Sequence, residues 1–409
     1  MRWLIAALLL VAGTSWAEAA TDGQDFDRIA RGRYLATVGD CVSCHTAEGG
    51  KPFAGGRPLE TPFGTLVGSN ITPDLETGIG AWTDDAFVAA LQKGMGPGGY
   101  HLYPAMPYPY FSRITRDDAL DILAYLRTVE PVHNPVSPNQ LPFPFNMRIG
   151  MAVWNELNFT PGTFAPAAGK SAEWNRGAYL VQGLGHCGAC HTEKNLLGGD
   201  KTSQALQGGV LQTWFSPNLT NAPRRGLGEW SVDDIATYLR TGHNRFTAAT
   251  GPMSEVVTNS TSHMTESDLK AIAVYLKDLS APAETVTPPL AANDGAMQAG
   301  QAVYRDNCAA CHVATGAGVT RLFPTLKGSA TVQSTDPTSL IRVVLEGAQS
   351  VATDPAPTGP AMPAFGWKLS DTDVAAVLTY IRNSWGNAAP AVSADDVKKL
   401  RDELTSEAR

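Results

Sequence analysis

The chain has 409 residues, of which 43% are hydrophobic and 17% charged, and its formal net charge is −8. This composition excludes a disordered or fibrous chain. The acidic balance excludes a basic nucleic-acid-binding surface and suits solubility and the steering of a basic partner.

The N-terminus reads as a targeting segment. Met1-Arg2 supplies a positive start, Trp3 to Val11 is almost wholly apolar, and Ala17-Glu18-Ala19 has the small-x-small form of a cleavage site. A signal peptide over residues 1–19 follows, with a cut after Ala17 as a second option, and export to the periplasm. No later run is long enough to span a bilayer, which leaves at most peripheral membrane association.

The first unit, 20–135, opens with a helical stretch around Arg31-Gly32-Arg33-Tyr34-Leu35 and reaches Cys41-Val42-Ser43-Cys44-His45. On a helical turn the two cysteines share a face, so both sulfurs can form thioethers with the vinyl groups of one porphyrin. The histidine four positions after the first cysteine lies on that face and can ligate the iron. The pattern returns as Cys187-Gly188-Ala189-Cys190-His191 and Cys308-Ala309-Ala310-Cys311-His312, which uses all six cysteines. A disulfide framework belongs to short secreted chains, and structural zinc gives no reason for a histidine directly after each pair. The cofactor expectation is therefore three covalently bound haem c groups, attached at Cys41, Cys44, Cys187, Cys190, Cys308 and Cys311. Their iron is ligated by His45, His191 and His312.

The rest of each unit repeats as well. A Gly- and Pro-rich loop, long in the first two units and short in the third, leads to a second helix, capped by Thr83 in the first unit and by Ser231 in the second. In the third, Asp336-Pro337-Thr338 starts the corresponding segment. A third helix closes each unit, with apolar residues at three- and four-residue steps such as Leu120, Leu123, Leu126 and Leu269, Ile272, Leu276. Tyr125, Tyr275 and Tyr380 on these helices read as core, packed against haem. Proline-rich linkers at 136–170 and 282–293 separate the second unit, 171–281, and the third, 294–388. A polar tail helix at 389–409 carries a stripe of Val397, Leu400 and Leu404 suited to docking on the protein. The fold expectation is all-α, three tandem haem-binding domains.

The sixth iron ligand decides between electron transfer and small-molecule chemistry. Pro104-Ala105-Met106-Pro107 recurs as Pro360-Ala361-Met362-Pro363, and the second unit has Gly251-Pro252-Met253. All three lie between the second and third helices, in loops stiffened by proline. Met106, Met253 and Met362 are the candidate ligands, with Met264 as second choice in the middle unit. Met95, Met147, Met151 and Met297 fall elsewhere in the repeat, and no further histidine recurs at one register.

With these residues in place the chain resembles the triple-haem cytochrome c subunit of the membrane-associated bacterial dehydrogenases acting on alcohols, aldehydes, gluconate and related sugars. The resemblance rests on the three haem motifs, on the stretch from Gly55 to Thr65, and on Asn70-Ile71-Thr72-Pro73. It rests also on His101 to Pro107, Leu141 to Asn146 and Gly251-Pro252-Met253. It implies three cytochrome c-like domains and Met106, Met253 and Met362 as sixth ligands. It implies a large dehydrogenase subunit as electron donor, whether quinoprotein, flavoprotein or molybdenum enzyme, and ubiquinone, a terminal oxidase or a soluble cytochrome as acceptor. The polar end from Ala394 to Arg409 departs from those members that carry an apolar C-terminal anchor. The alternatives are a haem enzyme with one open iron, such as a peroxidase or thiol-oxidising cytochrome, and a free-standing periplasmic shuttle. The loops Gly49 to Ala81 and Thr192 to Glu229 are expected to dock a partner or to shield a haem edge.

Overall fold

A computed structural model describes residues 25–407. The expected signal segment, 1–19, lies outside the described residues. In the first unit Asp25 accepts from the Arg28 amide and starts α1 (Phe26–Val38). Asp40, at a left-handed φ of 50°, turns the chain into the single helical turn α2 (Cys41–Cys44), with His45 at its end. The strands β1 (Pro58–Thr61) and β2 (Gly64–Val67) pair antiparallel. α3 (Asp84–Lys93) is capped by Thr83 as expected, and α4 (Tyr108–Phe111) and α5 (Arg116–Leu126) follow. The linker then contributes α6 (Gly150–Asn158).

The second unit repeats the order with α7 (Ala172–Gln182), α8 (Gly188–His191), β3 (Gly209–Leu211), β4 (Trp214–Ser216) and α9 (Val232–Thr241). Ser231 caps α9 in a full capping box with Asp234, and α10 (Pro252–Asn259) and α11 (Glu266–Lys277) complete the unit. The third unit has α12 (Gly295–Asn307), α13 (Ala309–His312), α14 (Ala330–Gln333), α15 (Thr338–Glu346), β5 (Ala348–Gln349), β6 (Ala361–Met362) and α16 (Asp371–Arg382). The tail forms α17 (Ala394–Glu407).

Two expectations are corrected. The chain is mainly helical rather than all-α, because each unit carries a two-stranded antiparallel hairpin. The long loops hold backbone amides and carbonyls that need partners, and a hairpin pairs them locally. In the first, Gly64 at φ 118° closes the turn after Thr61-Pro62-Phe63. The stretch 136–170, read as a proline-rich spacer, contains a helix, because Trp154 has a buried place against Tyr108.

The three units are built on one crossing. α1 packs on α5, α7 on α11 and α12 on α16. A glycine sits at each crossing: a Cβ on Gly32, Gly177 or Gly300 would overlap the backbone carbonyl oxygen of Asp121, Ala271 or Ala376. The same Cβ would crowd the Cβ of Tyr125, Tyr275 or Tyr380, so these tyrosines stand where the first and third helices of a unit touch. Only glycine permits so close an approach of two backbones.

Units one and two share a continuous apolar core, in which Leu35, Ile122 and Leu126 meet Leu180, Leu184 and Leu269. The third unit has its own core, and α17 closes it with Val397, Leu400 and Leu404, all buried as expected. The joint between the first two units is a symmetric exchange. Tyr34 donates to Asp268 across it (2.6 Å), and Tyr179 donates to Asp118 in the opposite direction. Each tyrosine oxygen also accepts an amide from the facing helix start, Thr265 N–H to Tyr34 (3.3 Å) and Thr115 N–H to Tyr179 (3.1 Å). Within its own unit each aspartate holds an arginine, Asp118 with Arg31 and Asp268 with Arg176 (2.7 Å).

Burial pulls the Asp268 carboxyl up, but the Arg176 guanidinium and the Tyr34 hydroxyl outweigh it and hold it below the ordinary carboxylate value. A depressed carboxylate stabilises the fold above its unfolded pKa of about 3.9, and that stabilisation is lost as pH falls through the lowered folded value. Tyr34→Phe and Tyr179→Phe each remove a hydrogen bond to a charged group, so each is expected to cost about 1.5–3 kcal/mol. The check is hydrogen exchange of α1, α5, α7 and α11 at neutral pH and at pH 3. Both variants, and acid on the wild type, should loosen these helices before those of the third unit. Equal exchange across the chain would contradict the exchange as a stabilising joint.

The second and third units meet through β4 and α15. The Phe215 amide donates to Ser339 Oγ (2.7 Å), that hydroxyl donates to the Phe215 carbonyl (3.0 Å), and Arg342 stacks over Trp214 at 4.8 Å.

Candidate haem sites

Each Cys-x-x-Cys-His pattern occupies one helical turn, the geometry that brings both sulfurs and the imidazole to a single face. Burial pushes the Cys41 and Cys187 thiols up to about 12 and those of Cys44 and Cys308 up to about 11, and it raises Cys190 as well. Among the described residues no group of three or more His, Cys, Asp or Glu converges on a metal position.

The histidines share one arrangement. His45 Nδ1 bonds the Ser69 carbonyl (2.6 Å), His191 Nδ1 that of Pro217 (2.7 Å), and His312 Nδ1 that of Pro324 (3.0 Å). A carbonyl only accepts, so Nδ1 carries the proton in each ring and Nε2 is left with its lone pair. Such a second bond fixes ring orientation and raises the basicity of the ligating nitrogen. Burial lowers the pKa of all three rings, which favours the neutral form that a metal takes.

The third unit shows the fit to a porphyrin most openly. Cys308, Cys311, His312 and Met362 line one cleft of about 120 Å³. Its remaining wall is mostly apolar, with Phe323, Val343 and Phe365. An apolar wall with a few convergent ligating groups suits a macrocycle. Ala248 and Thr250 of the second unit border the same cleft.

In the first unit Met106 packs, half-buried, against the core that holds Cys41. Met253 is also half-buried, but it packs with Ala249, Val257, Val351 and Tyr238, apart from the cluster of Cys187. Met264, the second choice, is 4% exposed among the shared core residues.

Sequence reasoning missed the carbonyls behind the histidines. A signal was present, because Asn70-Ile71-Thr72 and Asn218-Leu219-Thr220 each begin one residue after the accepting carbonyl. Asn70 Oδ1 accepts the Thr72 amide (2.9 Å) and Asn218 Oδ1 that of Thr220 (2.7 Å), turns that set the carbonyl's direction. It also missed a clamp from the second unit on the first haem turn. Asn259 donates to Ser43 Oγ (2.8 Å), and Arg57 donates to the Ser43 carbonyl (2.5 Å) while pairing with Glu255. Burial beside this clamp pushes the Asp40 carboxyl up to about 7, against the Ser43 hydroxyl that donates to it.

The sequence pattern of the Cytochrome c family matches residues 29–130, 175–280 and 297–385. The chain belongs to the cytochrome c family. Each of these cytochrome c matches contains one haem-attachment turn and ends at or just beyond a third helix. The chain is 42% identical to the gluconate 2-dehydrogenase cytochrome c subunit of Pantoea cypripedii, over 98% of this chain and 96% of that one. It is 42% identical to the cytochrome c subunit of the quinone alcohol dehydrogenase of Gluconacetobacter polyoxogenes, over 97% and 88%. It is 35% identical to the fructose dehydrogenase cytochrome subunit of Gluconobacter japonicus, over 96% and 87%. Covalent haem c is implied by family and motif alike. Among the described residues no helix is long and apolar enough to cross a membrane.

Proposed function

We propose that this chain is the electron-transfer subunit of a periplasmic dehydrogenase complex. In this reading it carries three covalent haems and has no substrate chemistry of its own. The observation that carries the reading is the repeated imidazole geometry, with Nδ1 tied to a carbonyl and Nε2 free in all three units. When bound, each haem supplies a reversible one-electron couple. The protein holds the porphyrin through paired cysteines and aims each imidazole through its carbonyl. Met106, Met253 and Met362 would each offer a thioether to the iron, a second ligand that would keep small molecules off and raise the potential. Met253 is preferred over Met264, because Met264 is consumed by core packing.

The domains are taken as 20–135, 171–281 and 294–388, after removal of a signal peptide. The donor is a large subunit that binds quinone, flavin or molybdenum, and electrons leave to ubiquinone, a terminal oxidase or a soluble cytochrome. The names of the relatives support a dehydrogenase partner. Purifying the tagged chain from its own organism tests the reading. A stoichiometric large dehydrogenase subunit and three low-spin haems per chain are expected. A chain that comes alone, or three high-spin ferric haems, would overturn it.

The separation of Met253 from the Cys187 cluster favours one second reading, an open iron in the middle unit. Cyanide binding to one ferric haem of the wild-type protein would select it.

A further inference from the structure

Helix α6 is apolar on two sides. Trp154 faces inward: it is buried, its Nε1 donates to the Leu197 carbonyl (2.8 Å), and its ring meets Tyr108 edge-on at 6.3 Å. Ile149, Val153 and Leu157 follow one another at four-residue steps and so align along one face. That face points to solvent, each side chain being 64–73% exposed. Before the helix, Phe143 is 76% exposed and Phe145 packs on Phe63 of the β1–β2 turn at 5.0 Å. At its other end Asn195 donates to Asn158 (2.8 Å) and brings up Leu196, which is 97% exposed.

The two long loops expected to dock a partner therefore both reach the stretch 143–158, one through Phe63 on Phe145 and the other through Asn195 and Leu197 on α6. Together with Phe143 and Leu196 the stripe puts five large apolar side chains 64–97% into solvent. Large apolar side chains exposed together, rather than scattered singly, mark an interaction site.

The charge of the surface selects the occupant. Between Leu141 and Asn158 the only charged residues are Arg148 and Glu156. Arg148 is engaged, donating to the His101 carbonyl (2.8 Å) and covering the rings of Tyr100 and Tyr103 at 5.3 and 4.7 Å. A helix that lies on anionic lipid carries several Lys or Arg along its polar flank, and this chain has a net charge of −8. Exposed Phe, Met and Leu with few charges is the make-up of the core of a protein interface. Relatives that this chain matches over 96–98% of its length, moreover, are named as cytochrome subunits of dehydrogenases.

We propose that this surface, Phe143 to Leu157 with Leu196, docks the catalytic subunit of the dehydrogenase through a complementary apolar face of that subunit. The proposal rests on the electron-transfer reading above and names where its partner binds.

The test is Ile149→Glu/Val153→Glu in the tagged full chain, purified beside the wild type from the same cells. Both positions are solvent-exposed, so the variant should keep three haems and unchanged potentials while its affinity for the catalytic subunit falls at least 100-fold. Hydrogen exchange of the wild-type complex against the isolated chain gives an independent reading, with protection expected over 143–158. Retention of the catalytic subunit by the variant at wild-type yield would overturn this surface alone. So would loss of a homodimer, or of binding to phosphatidylglycerol vesicles, with the catalytic subunit still attached. A wild-type chain without any catalytic subunit would overturn the electron-transfer reading as well.

Discussion

Met362→Ala is expected to convert one haem of the three from low-spin to high-spin and to abolish its methionine charge-transfer band. Its reduction potential should fall by on the order of 0.1 V or more, within the roughly 0.8 V that axial ligands command. The argument is local. Met362 stands in β6, paired to Ala348, and lines the same cleft as Cys308, Cys311 and His312. Alanine at this position shortens the side chain without disturbing the strand, so the cysteines and His312 should still retain the haem. A thioether is replaced by water or an empty position, and the ferric state gains stability relative to the ferrous. Spectroscopic redox titration of the variant measures both effects, and cyanide should now bind one haem where it bound none. Low-spin spectra and unaltered potentials would remove Met362 from the ligand set. Met106→Ala should produce the same change on a different haem, since the two methionines belong to units with separate cores.

Gly300→Ala is expected to destabilise the third unit by about 2–3 kcal/mol and to lower its melting temperature by about 10 °C or more. Alanine would improve the intrinsic helix propensity of α12 by up to about 1 kcal/mol. Packing reverses that gain. The added methyl overlaps the Ala376 carbonyl oxygen on α16 and presses on Tyr380, and neither is the free end of a flexible side chain. The helices must part, which opens the aromatic cluster of Tyr304, Tyr380 and Trp385, whose centroids lie 5.1–5.5 Å apart. Gly295→Ala, in the same helix with open space around it, is the control and should leave the melt unchanged or raised. Thermal unfolding followed by haem absorbance distinguishes the two. Equal melts would mean that the crossing has room the geometry denies.

The two variants probe different levels of one design. The crossing of first and third helices gives each unit a rigid base, and the loops between them bring the haem-facing residues to it. Joining the units is a separate matter. Units one and two are fused through a common core and through exchanged tyrosine–aspartate bonds, while the third rests on β4 through Ser339 and Arg342. A residue of one unit thus reaches the haem turn of another, as Asn259 does at Ser43.

Much was legible along the chain because it depends on neighbours in sequence. The Cys-x-x-Cys-His turns follow from helical spacing, and the caps Thr83 and Ser231 from side chains that reach amides two or three residues on. The stripe of α17 follows from its periodicity. The repeat even marked where methionines stand relative to the third helix. The hairpins escaped notice because short strands inside Gly- and Pro-rich loops carry little alternation. Helix α6 escaped because the prolines around it outweighed its pattern, and Trp154 draws its support from Tyr108 and Leu197, far away in sequence.

By itself, then, the sequence determined the haem chemistry and its threefold repetition, since these rest on covalent spacing within one helical turn. Only the tertiary structure decided which nitrogen of each histidine is free, because the carbonyl that holds Nδ1 comes 12–26 residues later. It alone decided that Gly32, Gly177 and Gly300 are contact points rather than flexible links, since the backbone they meet is 76–94 residues away. The exposed face of α6 also became visible only in three dimensions, because the contacts that bury Trp154 and leave Ile149, Val153 and Leu157 in solvent come from residues far away in sequence.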